Sequence, residues 1–536
     1  MSFFRIVLTS ALLLAGAGPV LSTEKPLVPQ FTEETASAGI DSTFRGEWEY
    51  MVGGGAAVFD CTGDGYEDVL LAGGENESIF YVNRSTKGGA LRFEKQQSGL
   101  EFEAVTGAYP IDIDSDGIMD VAVLRVGENY VMRGEGNCRF ASANKAWGFD
   151  GGDAWSAAFA ATWEKGSSWP SLAVGNYIDR TQDMEPWGSC TPNWLHRPSP
   201  DGKGFAPPLS LTPSYCPLSM LFTDWSNSGT ADLRLANDRE YYEGGQEQLW
   251  RMEPGQPPRL YTKAEGWRYL RIWGMGLAGY DLDGDGYQEY SITSMADNKL
   301  QTLAAPPTDG AAPKPSYKDI AGPKGVTAHR PFMGEDLKPS TAWHTEFQDV
   351  NNDGRVDLFI AKGNVSEMPD FAMKDPNNLL VQGADGKFIE MADKAGVASV
   401  ETSRGGAMAD FNLDGLIDLL VVNRNSRTQI WRNTTANAGN WIELRLSQAA
   451  PNVNAVGAMV EVKTSEASMR REVTVGGGHV SGQAGWIHFG LGKAETAEVR
   501  VRWPGEGWSA PYHLKANHFS LLGKLNGTAQ DWQPPR

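Results

Sequence analysis

The sequence lacks the short motifs that usually mark a catalytic centre. It contains no H-E-x-x-H and no G-x-S-x-G, and its seven histidines show no paired spacing. His479 is the histidine that we single out as a candidate binding residue, because it follows three glycines, a setting in which the backbone approaches something closely. The missing motifs favour a non-enzymatic role and leave an enzyme as the alternative.

Cysteine is scarce. It occurs only at positions 61, 138, 190 and 216, and no pair has the C-x₂-C spacing of a zinc site. In an oxidising compartment three disulfide pairings are possible. We favour Cys190 with Cys216 and Cys61 with Cys138, since the first pair would tie off a proline-rich excursion that no strand pattern explains.

Long apolar runs are missing after the N-terminus, where none approaches the ~18 residues that a membrane-spanning helix needs. Residues 1–22 combine Arg5, an apolar core from Ile6 to Ala15 and small residues up to Gly18. This pattern predicts a secretory signal peptide. We therefore expect a periplasmic or secreted protein that is soluble and has no transmembrane segment.

Basic residues are outnumbered, because 47 Lys and Arg stand against 67 Asp and Glu, for a net charge of −20. Phosphate binding needs a basic surface, so this balance argues against nucleic acid as a partner. The carboxylates that show a recognisable spacing are concentrated in a repeated loop.

That loop has nine residues and occurs six times, beginning at residues 60, 112, 224, 281, 349 and 410; the fullest copy reads DIDSDGIMD, from Asp112 to Asp120. Oxygen-bearing side chains at positions 1, 3, 5 and 9, with a turn-forming glycine at position 6, suit a hard cation such as Ca²⁺. We expect about four to six structural Ca²⁺ ions, one in each filled loop.

Five of the loops are well formed and supply most of the candidate metal ligands. These are Asp60, Thr62, Asp64, Asp68, Asp112, Asp114, Asp116, Asp120, Asp281, Asp283, Asp285, Glu289, Asp349, Asn351, Asp353, Asp357, Asp410, Asn412, Asp414 and Asp418. The remaining loop carries neutral serines and predicts a weaker site, formed by Asp224, Ser226, Ser228 and Asp232.

The loops belong to a larger repeat. The step from Asp112 to Asp224 spans two repeats, and an acid-free copy begins near its middle at Thr162. An aromatic residue followed by a polar stretch and glycine recurs before the loops, first at Phe31, whereas the last unit lacks this element. A strand near Phe31 should therefore complete the last unit. We predict an all-β protein, with a seven-bladed β-propeller over residues 25–435 and a small β domain over residues 440–536.

The acidic loops and the strands after them resemble FG-GAP or VCBS repeats of the integrin-α type. The stretches VGAMVEVKT (Val456–Thr464), REVTVGGGHVSGQ (Arg471–Gln483) and IHFGLGKAETAEVRVRWPGEG (Ile487–Gly507) resemble an ASPIC/UnbV domain. That domain is the C-terminal module of the cartilage acidic protein family and of UnbV-type proteins. The resemblance implies adhesion or matrix-type interaction, with ions in the blade loops.

Two function classes follow from these observations. The first is a calcium-binding scaffold that recognises a protein or glycan partner on the propeller rim. The second is a polysaccharide-active enzyme or an accessory factor in natural-product biosynthesis, for which convergent polar residues in one central pocket would be the sign. Tryptophans at positions 155, 163, 169, 187 and 194 fit either a stacking platform for a sugar, if exposed, or the packing of a divergent blade, if buried.

Overall fold

A computed structural model describes residues 25–182, 189–238, 246–268, 270–307, 312–327, 338–365 and 368–535. Strands dominate these residues, and the predicted all-β class is confirmed. The described α-helices are single turns, at Thr35–Ala38, Asn144–Trp147, Ala321–Lys324 and Ala392–Ala395. Short 3₁₀ turns lie at Trp48–Tyr50 and Lys263–Glu265. None of the described helices has the length and apolarity needed to cross a bilayer.

The strands up to residue 433 form four-stranded antiparallel units, which we call blades. The chain starts with β1 (Phe31–Glu33), and blade 1 follows as β2 (Ala56–Phe59), β3 (Asp68–Leu71), β4 (Ile79–Asn83) and β5 (Phe93–Lys95). Blade 2 is β6 (Val105–Ile111), β7 (Asp120–Gly127), β8 (Tyr130–Gly134) and β9 (Phe140–Ser142). Blade 3 is β10 (Ala154–Thr162), β11 (Ser171–Asn176), β12 (Asn193–His196) and β13 (Leu209–Leu211). Blade 4 is β14 (Pro217–Thr223), β15 (Asp232–Asn237), β16 (Gln248–Arg251) and β17 (Arg259–Leu260).

The last three blades repeat this pattern. Blade 5 is β18 (Gly274–Tyr280), β19 (Glu289–Ser294), β20 (Lys299–Leu303) and β21 (Tyr317–Asp319). Blade 6 is β22 (Ala342–Gln348), β23 (Asp357–Lys362), β24 (Asn378–Gln382) and β25 (Phe388–Glu390). Blade 7 is β26 (Ser403–Ala409), β27 (Asp418–Asn423) and β28 (Gln429–Asn433), and β1 pairs with β28 as its fourth strand, Phe31 opposite Asn433.

The blades form a closed ring. The first strand of each blade contacts the first strand of the next, and β26 contacts β2, so the innermost strands line one axis. These strands are almost entirely buried, as in Ala154–Thr162 and Pro217–Thr223. Each blade keeps only a short outer edge strand, such as the three-residue β5 and β9, which limits the exposed sheet edges. The pairing of β1 with β28 matches the expectation that residues near Phe31 complete the last unit.

The C-terminal module consists of two sheets packed on a shared core. One sheet has the order β34 (Ile487–Gly492), β29 (Asn440–Ser447), β37 (His518–Gly523) and β38 (Thr528–Trp532). The other has the order β31 (Ser468–Glu472), β30 (Met459–Lys463), β35 (Thr496–Arg502) and β36 (Tyr512–Lys515). The alternation in AEVRVRW places Val499 and Val501 in the core, and the arginines that follow each of them, at positions 500 and 502, are partly exposed.

A loop from this module enters the centre of the ring. Its strands β32 (Val475–Gly476) and β33 (Gly482–Ala484) pair with the innermost strands, β32 with β10 and β14, and β33 in parallel with β2. Only glycine fits at Gly478, because a Cβ atom there would lie 2.5 Å from the imidazole of His344. The glycine-rich stretch therefore packs backbone against the ring and fixes the module on the propeller axis.

Candidate metal-binding loops

All six acidic loops lie on one face of the ring. Each connects the first strand of a blade to the second: position 1 follows the inner strand, as Asp112 follows β6, and position 9 begins the next strand, as Asp120 begins β7. Because the inner strands all run in the same direction, their ends meet on the same face. The turn between Thr162 and Ser171, which lacks the repeated aspartates, occupies the equivalent place in blade 3.

Backbone N–H groups hold the carboxylate at position 1. Asp116 and Gly117 donate to the two oxygens of Asp112, at 3.1 and 2.9 Å. The loops at Asp349 and Asp410 repeat this pair of contacts with their own residues at positions 5 and 6. The oxygen atoms thus have fixed positions around a common centre, which is the arrangement that a cation site requires.

The carboxylate at position 9 ties the loop to its blade. Asp120 accepts hydrogen bonds from Ile113 N at 2.7 Å and from Gly134 N at 2.8 Å. Asp357 and Asp418 make the same two kinds of contact. The position-9 acid therefore links the start of the loop to the third strand of its blade.

Burial and mutual repulsion raise the pKa values of these acids. Burial is the main cause for Asp112, with a pKa of about 6, and for Asp120, with a pKa of about 8; neighbouring aspartates add to both shifts. Asp281 and Glu289 show the same values, about 6 and about 8, and burial is again the first cause. Crowded buried carboxylates of this kind are stabilised in their ionised form by a divalent cation.

The residues present fit Ca²⁺. Carboxylate oxygens of Asp112, Asp114 and Asp120 lie within 4.8 Å of one another, as do those of Asp281, Asp283 and Asp285 in blade 5. In blade 7 the position-3 oxygen, Asn412 Oδ1, is buried and has no hydrogen-bond partner among the described residues. An orphaned oxygen at a ligand position, in a set made only of oxygen donors, suits a hard cation.

Arginines from the C-terminal module reach position 1 in two of the loops. Arg445 Nη1 lies 3.0 Å from Asp60 Oδ2, and its Nη2 lies 2.9 Å from Glu67 Oε1. Arg502 Nη2 lies 2.9 Å from Asp224 Oδ2. A guanidinium thus already stands against the central carboxylate in these two loops.

The loop at Asp224 differs further at position 9, where side chains as well as a backbone N–H donate to the acid. Met252 N donates to one oxygen of Asp232, and Trp225 Nε1 and Tyr261 Oη donate to the other. Ser228 contributes its backbone N–H to Asp224 at 2.8 Å, and its hydroxyl oxygen lies 3.3 Å from the same carboxylate. The weak site expected from Asp224, Ser226, Ser228 and Asp232 therefore offers fewer carboxylates than the other loops, and the one that crowds Asp224, Glu472, comes from the module.

Other arginines lie beside the loops without a salt bridge to the position-1 acid. Arg470 of the module lies against Gly286 in the Asp281 loop, where its charge partly offsets the raised pKa of Asp281. Arg133 lies 3.0 Å from Asp114 and 2.9 Å from Asp116, and its own side chain is half exposed. Arg355 contacts Asp353, the position-5 residue two places before it. Among the described residues, no arginine or lysine forms a salt bridge with the position-1 acids Asp112, Asp281, Asp349 and Asp410.

The module covers the loop face and leaves a cavity of about 500 Å³ beside the axis. Its wall includes His344, whose Nε2 lies 3.3 Å from Glu346 Oε2, together with Arg471 and Glu472. These residues escaped the sequence analysis because they come from different blades and from the module. The alternation of charge in the β29 sequence, with Glu443 and Arg445 two residues apart, is the signal that could have drawn attention to this interface.

His479 lies inside the ring and is fully buried. Its Nδ1 is 3.1 Å from Leu218 O, its backbone N–H donates to His344 Nδ1 at 3.2 Å, and its ring packs against Trp343 with centroids 5.0 Å apart. Burial lowers the pKa of His479 to about 3, so the imidazole is neutral. The close backbone approach expected from the three glycines is therefore made to the propeller strands.

The structure contains disulfides between Cys61 and Cys138 and between Cys190 and Cys216. The first joins the loop of blade 1 to blade 2, and the second spans the proline-rich excursion. Trp155 and Trp169 are buried and Trp163 and Trp194 partly so, whereas Trp187 lies outside the described residues.

The fold and the loops define an FG-GAP-type β-propeller that carries an ASPIC/UnbV module. Residues 60–123 and 349–421 match the model of the FG-GAP-like repeat, and residues 448–529 match the model named ASPIC and UnbV. The chain thus contains both kinds of module, and the resemblance seen in the sequence is confirmed.

The chain is similar to cartilage acidic protein 1. It is 25% identical to the Mus musculus protein over 195 residues, 36% of this chain and 28% of that protein. The Homo sapiens protein gives 25% over the same length, 36% and 27%, and the Xenopus tropicalis protein 30% over 104 residues, 19% and 16%. The matched segment therefore spans less than a third of each relative.

Two solved structures have related shapes. BBS1N in complex with ARL6DN gives a TM-score of 0.42 at 11% identity and covers 77% of this chain and all of that one. An Agrocybe aegerita lectin gives 0.30 at 16% identity, covering 72% and 81%. Because both scores are below 0.5, the propeller architecture rests on the strand pairing described above.

Proposed function

We propose that this protein is a secreted or periplasmic calcium-binding scaffold, in which Ca²⁺ stabilises the blade loops and the propeller recognises a protein or glycan partner. The observation that carries the calcium proposal is the set of buried, crowded carboxylates at the loops beginning with Asp112, Asp281, Asp349 and Asp410. The bound ion would offset their repulsion and hold each loop against its blade.

The residues that would hold each ion are the oxygen-bearing side chains at positions 1, 3 and 5, with the position-9 carboxylate keeping the loop closed. In blade 2 these are Asp112, Asp114, Asp116 and Asp120. In the loops at Asp60 and Asp224, a guanidinium takes the place of the ion at position 1. The proposal therefore assigns four ions to the propeller, at the lower end of the expected range.

Calcium titration by calorimetry, with total calcium measured in the dialysed protein, tests this proposal. The wild-type chain should bind four ions, and Asp112→Asn should bind one fewer. Asp201→Asn is a control, because Asp201 is exposed and lies outside every loop. Binding of no Ca²⁺, or binding that does not raise the melting temperature, contradicts the proposal.

The partner would contact the face opposite the acidic loops, since the module covers the loop face. The segment before β2 lies on that opposite face and carries Trp48, which is 39% exposed and packs edge-on against buried Trp155 at 6.2 Å. A cleft of about 220 Å³ surrounds it, lined by Glu47, Trp48, Glu49, Tyr50, Glu75 and Arg180. An exposed indole beside carboxylates suits a sugar ring, with stacking on one side and hydrogen bonds on the other.

A glycan array tests this surface. Wild-type protein should bind a defined glycan class, and Trp48→Ala should weaken that binding at least about fivefold, since stacking contacts of this kind contribute on the order of 1 kcal/mol or more. Trp508→Ala is the matched control, because Trp508 is also 39% exposed but belongs to the C-terminal module. Equal losses in both variants contradict the assignment of this face.

The cavity of about 500 Å³ favours a second candidate, the polysaccharide-active enzyme or biosynthetic accessory factor, because polar residues converge on its wall. Glu346 is the residue placed to act there as a base, with His344 beside it. Turnover of a polysaccharide panel by the wild-type protein, abolished in Glu346→Gln, supports this alternative, and no turnover at any pH removes it.

Secretion is part of the proposal. The signal peptide expected at residues 1–22 lies outside the described residues, and the two disulfides support an oxidising compartment. Expression with and without residues 1–22, followed by fractionation and N-terminal sequencing, tests it; a protein that stays in the cytoplasm with its N-terminus intact contradicts it.

A further inference from the structure

Strand β29 of the C-terminal module lies across the loops of blades 7 and 1. Trp441 packs directly over the blade 7 loop, since a Cβ atom on Gly415 would lie 1.9 Å from the indole, and Trp441 shares a buried cluster with Leu413. Four residues on, Arg445 reaches Asp60 in blade 1. Residues 441, 443 and 445 therefore share the strand face that meets the propeller.

Glu443 stands between these two contacts. Its side chain is 1% exposed, and one oxygen, Oε1, lies 3.0 Å from His488 Nδ1. His488 Nε2 is in turn 2.7 Å from Asn352 Oδ1 in the loop of blade 6, so the imidazole is wedged between module and propeller. His488, itself held by Asn352, therefore fixes the position of one oxygen of the Glu443 carboxylate.

The other oxygen of Glu443 has no N–H or O–H donor, and the carboxylate meets that of Asp410. Glu443 Oε2 is buried and receives no hydrogen bond from the described residues. Asn412 Oδ1, at position 3 of the blade 7 loop, is in the same situation. Each orphaned oxygen of this kind costs about 1–3 kcal/mol unless it is matched, so two on opposite sides of one interface point to a shared bound group.

The charge of that group is set by its surroundings. The carboxylates of Glu443 and Asp410 are in contact, and Asp414 lies near both, so three acids are crowded together. In the described part of the chain, neither Asp410 nor Asp414 forms a salt bridge, Glu443 pairs with the imidazole of His488, and the nearby Arg445 is already paired with Asp60 and Glu67. The position calls for a cation that the side chains do not supply.

We propose that Glu443 is a metal ligand supplied by the C-terminal module to the Ca²⁺ of the loop Asp410–Asp418, so that one ion joins module and propeller. This inference rests on the proposed calcium function. It explains the order of charges along β29: the loop that receives Glu443 needs an ion to pair with it, whereas the neighbouring loop at Asp60 receives Arg445 and needs none.

The test compares Glu443→Gln, which removes the charge and keeps the shape, with Glu472→Gln. Glu472 is the matched control because it is also a buried module carboxylate at the interface, facing the arginine-held loop through Asp224 N at 2.9 Å. Calorimetric titration of the full chain with Ca²⁺ should show one site weakened at least about tenfold in Glu443→Gln and unchanged sites in Glu472→Gln.

A second readout is the calcium dependence of module docking. Limited proteolysis across residues 434–439, which lie between the blades and β29, should become faster in EDTA for the wild type and equally fast with and without Ca²⁺ for Glu443→Gln. Glu443→Asp, which keeps the carboxylate on a shorter arm, should restore part of the affinity. This rescue separates ligation from a general loss of packing.

The outcomes distinguish the two proposals. If the wild type binds no Ca²⁺, the calcium function itself fails. If the wild type binds Ca²⁺ and Glu443→Gln binds it with unchanged affinity and unchanged calcium-dependent docking, the calcium function stands and the ligand assignment is overturned. Weakening in Glu472→Gln as large as in Glu443→Gln also overturns it, because any buried interface acid would then act alike.

Discussion

The loops of blades 1 and 7 share the same nine-residue phase, yet they meet different partners from one strand of the C-terminal module. At Asp60 the module inserts the guanidinium of Arg445, and at Asp410 it presents the carboxylate of Glu443. The loop at Asp224 follows the first pattern, through Arg502. An acidic loop can therefore be neutralised either by an ion or by a side chain, and the loop sequence alone does not decide which.

This difference has a physical basis in the loops themselves. A guanidinium carries one positive charge and donates hydrogen bonds in a plane, so it satisfies one or two carboxylates. The loop at Asp224 has serines at positions 3 and 5, and that at Asp60 has a threonine at position 3. The Asp224 loop therefore has fewer acids to neutralise, whereas the loops at Asp112 and Asp281 gather three or more carboxylates and suit a divalent ion. The Asp60 loop has as many acids as the loops at Asp349 and Asp410, and it differs from them in receiving Arg445.

The largest effect should come from removing calcium altogether. With Ca²⁺ at a hundredfold excess over its Kd, each site contributes about 2.7 kcal/mol to the free energy of unfolding, so four sites contribute on the order of 10 kcal/mol. Calorimetric scans in EDTA should therefore show a strongly lowered melting temperature. Equal melting temperatures in EDTA and in millimolar Ca²⁺ would mean that the loops need no ion.

A smaller but still large effect should follow from Arg445→Ala. This change leaves Asp60 and Glu67 facing each other without their cation, and breaking a buried pair of this kind costs about 3–5 kcal/mol. Chemical denaturation in EDTA measures the loss. Added Ca²⁺ should recover more of it than in Arg502→Ala, because the Asp60 loop keeps Asp64 at position 5 where the Asp224 loop has Ser228.

Single acids at position 1 should separate the two kinds of loop. Asp112→Asn should lose one ion and about 2–3 kcal/mol of calcium-dependent stability, whereas Asp224→Asn should lose none. Calcium stoichiometry and denaturation curves with and without Ca²⁺ measure both. Loss of an ion in Asp224→Asn would show that a guanidinium and an ion occupy the same loop. That result would contradict the division of the loops into those that bind an ion and those that contact an arginine.

A pH dependence of stability should appear in the calcium-depleted protein. Burial raises the pKa of Asp120 and of Glu289 to about 8 and those of Asp112 and Asp281 to about 6, so the folded state binds more protons than the unfolded state between pH ~4 and ~8. Stability in EDTA should therefore fall as pH rises through this window and level off above it. In Ca²⁺ the same curve should be nearly flat, since the ion holds the carboxylates ionised.

Much of the propeller could be predicted because its signals are local. The acids at fixed spacing, the apolar strand after each loop and the aromatic residue near the start of each outer strand all lie within a few tens of residues. The copy after Thr162 was recognisable without the repeated aspartates, because its turn and the apolar strand that follows are present. The spare element at Phe31 predicted the pairing of β1 with β28 across the whole ring.

The interface could not be predicted in the same way. Arg445 meets Asp60 across 385 residues of sequence, and Arg502 meets Asp224 across 278. Their partners are set by how the module docks, which depends on the loop around His479 entering the ring axis. The three glycines before His479 indicated a close approach of the backbone but not what it approaches.

A crystal structure of the calcium-loaded protein with anomalous difference maps tests the calcium scaffold most directly. We expect metal peaks in the loops at Asp112, Asp281, Asp349 and Asp410. In the loops at Asp60 and Asp224 we expect no peak, with Arg445 and Arg502 in contact with the position-1 acids. Peaks in all six loops, with the two arginines displaced, would contradict the division of the loops. The absence of any peak would contradict the calcium scaffold itself.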